Sequence, residues 1–92
     1  MAILSISEFE AVLGHVMIRV DKALVERGQV DALETALRDL KQVVAAARQP
    51  GKLKPMRALL DKVTDSLGKE IPDDTAMLER LWDLADYIDY RA

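Results

Sequence analysis

The side chains that could carry out chemistry begin with His15, the single histidine of this 92-residue chain. An imidazole titrates near neutral pH and can also act as a nucleophile. Arg19 and Lys22 follow by one and two helical turns, so their charges could steady a phosphoryl group transferred to His15. Because the chain has one histidine and no cysteine, it can build neither a thiolate zinc site nor a site of several histidines. We therefore expect no bound metal.

A histidine beside cations on a helical bundle is similar to the arrangement in histidine phosphotransfer domains. The resemblance implies a signalling protein in which His15 is the phosphoacceptor. This sequence departs from that family's pattern, which places a lysine three and a glycine four positions after the histidine. Those positions hold Ile18 and Arg19 here. A solvated histidine without a role is the alternative interpretation.

Three acidic residues, Glu79, Asp83 and Asp86, lie three or four positions apart on one face of a predicted helix. Acid and base catalysis by paired carboxylates requires two different environments, which separate the pKa values of the two groups. Solvated acids on one helix face share the same environment. No calcium-loop spacing is present either. We expect no enzyme activity and no cofactor. Asp86 and Asp89 fall near the helix end where the dipole disfavours negative charge, which predicts a basic surface opposite them, from this chain or another.

Charge is sorted along the chain. From Arg38 to Lys62 there are seven basic and two acidic residues, a net charge of +5, whereas the segment from Val63 onward has three basic and eight acidic residues, a net charge of −5. Within the basic segment, a predicted loop region carries a candidate basic patch of Arg48, Lys52, Lys54 and Arg57. The two regions could pair within the chain, or one of them could bind a partner.

Nucleic acid is an alternative partner for the basic patch, since contact with phosphates requires only basic side chains long enough to touch them. The overall charge of −3 and the lack of an aromatic residue in the loop argue against it. The hypothesis of a nucleic-acid accessory protein therefore ranks below that of a protein partner.

Two predicted helices occupy the first half of the chain, at about 7–27 and 31–48. Ser5 with Glu8 and Ser7 with Glu10 both have the capping-box spacing, and we place the first start at Ser7. Gly28 provides a left-handed stop. The second helix has the same capping spacing from Asp31 and ends near a Gln-Pro-Gly sequence.

Two more helices are predicted at about 55–67 and 73–90. Pro55 suits a first helical position, and Gly68 is expected to end that helix. The acidic Asp73 and Asp74 suit the start of the next helix. With short connections, the sequence predicts one all-α domain over residues 1–92, folded as a small up-and-down four-helix bundle that could pair as a dimer.

A second apolar stripe predicts an interaction surface. Ala11, Ile18 and Val25 recur every seven residues, opposite the main apolar face of the first helix. Tyr87 and Tyr90 also fall outside the main stripe of the last helix. Such residues are either ordinary exposed apolar side chains or a helix-to-helix interface, most simply a homodimer.

The leading functional hypothesis is therefore a small interaction module, an adaptor or regulatory protein that binds a protein partner and itself. Its candidate partner-binding residues are Ala11, Ile18, Val25, Glu79, Asp83, Asp86, Tyr87 and Tyr90. The N-terminal segment lacks the layout of a secretory signal, and no apolar run approaches the roughly 20 residues of a membrane span. We expect a cytoplasmic protein without membrane contact.

Overall fold

A computed structural model of the chain describes residues 3–92; Met1 and Ala2 lie outside this range. Four α-helices form in the predicted order. They are α1 (Ile6–Arg27), α2 (Asp31–Ala47), α3 (Arg57–Glu70) and α4 (Thr75–Arg91), with a short 3-10 turn at Lys54–Met56 before α3.

The helices pack as a ring in which each contacts the next along the chain and α1 closes against α4. The 22 residues of α1 span about 33 Å at 1.5 Å per residue, which matches the 36 Å long axis of the molecule. The prediction of an all-α, up-and-down four-helix bundle is thus confirmed. None of the helices described is long and apolar enough to cross a membrane.

The core lies along the axis of the bundle and is filled mainly by aliphatic side chains. Each helix contributes the apolar stripe that its periodicity predicts, because residues three and four apart share one face. The largest fully buried side chains are those of Phe9, Leu13, Leu33, Leu40, Leu60, Leu67, Met77, Leu81, Leu84 and Ile88. One charged residue, Asp39 on α2, is also buried among the residues described, which the sequence did not indicate.

The start of α1 differs from the prediction by one residue. Ser5 rather than Ser7 is the N-cap, and its hydroxyl accepts a hydrogen bond from the Glu8 backbone N–H at 3.2 Å. The Glu8 carboxylate in turn accepts from the Leu4 N–H at 3.3 Å, so the capping pair fixes the chain that enters the helix. Just before it, Ile3 folds back and is buried in the core.

The boundaries of α2 and α4 lie within two residues of the predicted ones, and α2 starts at Asp31 as predicted. Val30 rather than Asp31 is the N-cap of α2, and its carbonyl accepts from the backbone N–H groups of the first turn. That helix ends at Ala47 instead of residue 48. At the start of α4, Asp74 is the N-cap and accepts from the Met77 N–H at 3.0 Å, so the helix begins at Thr75 rather than at residue 73. It runs one residue past the predicted end, to Arg91.

The third helix departs most from expectation. Pro55 lies in the 3-10 turn, α3 itself begins at Arg57, and Gly68 does not end it. The helix continues to Glu70, and the N–H of the following Ile71 donates to the Leu67 carbonyl at 2.8 Å. Because Ile71 is buried, its packing favours two further helical residues over the stop that glycine permits.

Candidate interaction site

The outer stripe of α1, formed by Ala11, Ile18 and Val25, faces solvent along its whole length. Ile18 is 69% exposed and Val25 is 80% exposed, and Ala11 is exposed as well. At 1.5 Å per residue, neighbouring members lie about 10 Å apart along the helix, so the stripe is about 21 Å long. The α1 core face, which includes Phe9 and Leu13, points to the opposite side and is fully buried. The stripe is therefore not used in the core of this chain.

Gly14 lies beside this stripe, three residues after Ala11 and four before Ile18, and shares their side of the helix. A Cβ atom at Gly14 would meet no other described part of the chain within 4 Å. A glycine inside a helix destabilises it by about 1 kcal/mol relative to alanine. Packing within the described chain therefore gives no reason for a glycine here, whereas close approach of a second helix would.

The acidic face of α4 is less free than the sequence suggested. Glu79 and Asp86 are exposed, but Asp83 is half-buried and interacts within the chain. Glu79 and Asp83 also line a groove between α1 and α4 that includes Val12 and Arg80. Part of the acidic face thus belongs to the contact between the two helices.

The last acidic residue of α4 pairs with the basic patch inside the chain. The Arg57 Nε donates to the Asp89 carboxylate at 3.1 Å, and the same guanidinium binds Asp61 one turn along α3. Burial lowers the pKa of Arg57, but the hydrogen bonds to Asp61 and Asp89 outweigh it and raise that pKa. One contact between the acidic and basic regions is therefore intramolecular, as the topology allowed.

Arg57 is consequently not a free member of the basic patch, which is a correction to the sequence prediction. Arg48, Lys52 and Lys54 are exposed on the connection between α2 and α3. They remain available to a partner.

The aromatic residues of α4 divide into two groups. Tyr87 is half-buried, and its ring packs against Phe9 with the centroids 5.0 Å apart, so it belongs to the edge of the core rather than to an open surface. Tyr90 and Trp82 are 84% and 61% exposed. Of the two tyrosines predicted to contact a partner, only Tyr90 is largely open to solvent.

His15 is exposed on α1, but both cations near it already face carboxylates. Arg19 Nε donates to Asp74 at 2.7 Å, and Lys22 lies 3.8 Å from Glu26. An arginine held by Asp74 is poorly placed to steady a phosphoryl group on His15. The Arg19–Asp74 pair, which ties α1 to the N-cap of α4, was not indicated by the sequence because it joins residues 55 positions apart.

No three potential metal ligands among histidine, aspartate and glutamate come together anywhere in residues 3–92. Comparison of the chain with protein-family models, with curated proteins and with solved structures finds no match.

Proposed function

We propose that this chain is a helical interaction module that associates with a second copy of itself through the outer stripe of α1. The observation that carries the proposal is the outward exposure of Ile18 and Val25 in line on one helix. Large apolar side chains aligned in this way lower the free energy of any state in which a partner covers them.

A second copy fits the stripe because its three members are evenly spaced around Ile18. In a two-fold symmetric, antiparallel contact between two α1 helices, Ile18 meets its equivalent on the axis. Ala11 of each copy then lies opposite Val25 of the other, so that a small side chain faces a large one. Gly14 lets the two helix backbones approach closely next to the axis.

The expected association is weak. Complete burial of a valine or isoleucine side chain contributes about 1.5–3 kcal/mol, and a symmetric contact buries two of each. Association itself costs about 4–15 kcal/mol in lost rotational and translational freedom. We therefore expect a dimer that forms in the micromolar to millimolar range rather than an obligate one.

Sedimentation equilibrium over that concentration range tests the proposal. Wild type should change from monomer to dimer, whereas Ile18→Asp should stay monomeric because a carboxylate would be buried at the centre of the contact. Ala58→Asp is the matched control, since it adds the same charge to an exposed position on α3 and should dimerise like wild type. A wild type that stays monomeric throughout would refute self-association, and loss of dimer in both variants would show that added charge alone is responsible.

A further inference from the structure

The connection between α2 and α3 borders an open pocket of about 470 Å³ at one end of the bundle. Its apolar wall comes from Ile6 at the start of α1, Leu53 in the connection and Tyr87 on α4. Because α1 and α4 supply two of these side chains, the pocket joins the ends of three segments of the chain. Its volume lies within the range of small-molecule sites, roughly 300–1,000 Å³.

The pocket is held in shape by its own loop. Leu53 is buried and anchors the connection to the core. The Lys52 N–H donates to the Gln49 carbonyl at 3.2 Å, and the Met56 N–H donates to the Leu53 carbonyl at 2.9 Å. Gly51 adopts a positive φ of 75°, which lets the loop turn without a strained side chain. These hydrogen bonds and the burial of Leu53 therefore fix the loop side of the pocket.

The charges that line the pocket are mainly positive. Arg48 and Lys54 are exposed residues of its lining. Ala92 also lines the pocket, and none of the lining side chains is acidic. The helix dipoles add little, because in an up-and-down bundle two helix N-termini and two C-termini meet at each end. An apolar wall with two cations is complementary to a molecule that has an apolar body and an anionic head.

We infer that this pocket binds an aliphatic carboxylate, with the chain against Ile6, Leu53 and Tyr87 and the carboxylate beside Arg48 and Lys54. The inference does not depend on self-association, because the outer stripe of α1 does not line the pocket. It also gives a role to Arg48 and Lys54, which stay exposed while Arg57, another member of the basic patch, pairs within the chain.

Titration of the isotope-labelled protein with butanoate, hexanoate and octanoate, followed by amide chemical shifts, tests the inference. Each buried methylene should strengthen binding about fourfold until the chain fills the pocket. The largest shifts should fall on Gly51 and Leu53. Octylammonium, with the same chain and the opposite charge, should bind more weakly than octanoate.

Two double variants separate the contribution of the cations from a general change in charge. Arg48→Ala with Lys54→Ala should weaken octanoate binding by up to about fivefold for each cation removed. Lys41→Ala with Lys62→Ala removes the same charge from exposed positions outside the pocket and should leave binding unchanged.

The Ile18→Asp variant should also bind octanoate like wild type, which distinguishes the pocket from the outer stripe of α1. Equal binding of octanoate and octylammonium, or shifts centred on Ile18 and Val25, would overturn the inference. So would octanoate binding that the loss of Arg48 and Lys54 does not weaken.

Discussion

Replacing Gly14 by alanine should stabilise the monomer and weaken the dimer at the same time. Helix propensity favours alanine over glycine by about 0.8–1.0 kcal/mol. The added Cβ meets no other described part of the chain within 4 Å, so no clash offsets this gain. In a domain of this size, a change of 1 kcal/mol shifts the melting temperature by about 4–8 °C.

The effect on the dimer should have the opposite sign. A methyl group added where two helices meet closely forces the backbones apart, and overpacking of this kind costs about 1–3 kcal/mol. We therefore expect the dissociation constant to rise by about fivefold or more, since 1 kcal/mol corresponds to a factor of about five.

The two effects need separate measurements. Urea unfolding followed by far-ultraviolet circular dichroism, with Ile18→Asp in the background, reports the stability of the monomer alone. Sedimentation equilibrium without that background reports association. Gly68→Ala is the matched control, because it removes a second helical glycine whose new Cβ would lie at an ordinary 3.9 Å from Leu78. It should leave association unchanged. An unchanged or tighter dimer in Gly14→Ala would refute the idea that the glycine permits close approach.

Two further predictions concern the ends of helices. Asp74→Asn should keep the cap on α4 but lose the ion pair with Arg19, so we expect a loss of up to about 1 kcal/mol at neutral pH in urea unfolding. The hydrogen bond from the Met77 N–H and the pairing with Arg19 hold the pKa of Asp74 below its ordinary value. The stability that comes from this lowered pKa is fully present above the unfolded pKa of about 3.9 and is lost as pH falls through the lower pKa of the folded state. The difference in unfolding free energy between wild type and variant should therefore shrink over that pH range. A difference that does not depend on pH would contradict the role given to the Asp74 carboxylate. Gly28→Ala should destabilise the folded protein by about 1–3 kcal/mol in thermal unfolding, because the φ of 76° and ψ of −162° at this position are accessible almost only to glycine. The space around the position is open, so a steric clash is not the cause. A melting temperature like that of wild type would show that the backbone can relax at this position.

The bundle could be predicted from the sequence because its apolar residues keep the helical period over four separate segments. Capping signals were less informative, since Ser5, Ser7 and Asp31 all begin segments with capping spacing and the structure uses Ser5 alone. Which of several local signals is used depends on how the chain enters the helix. For α3, the burial of Ile71 outweighed the glycine at position 68. Tertiary packing thus determines where α3 ends, and a local sequence pattern carries no information about that packing.

The sequence predicted some parts of the candidate surfaces and not others, because only some of them are set by local periodicity. The exposure of Ile18 and Val25 follows from their position opposite the core face, which periodicity alone defines. The partners of Arg57 and Asp89 depend on how α3 and α4 align lengthwise, which the sequence does not specify. The loop pocket was missed because its walls come from residues far apart in the chain, and no local spacing brings them together.

The exposure of Trp82 determines what fluorescence can report about this protein. Trp82 is the one tryptophan of the chain, and it is 61% exposed to solvent in the folded bundle. Unfolding therefore changes its surroundings little, and its emission is a poor measure of the integrity of the core. A molecule that covers this part of α4 would replace water around the ring and move the emission to shorter wavelength. The native tryptophan thus serves as a built-in reporter of contacts made at the surface of α4.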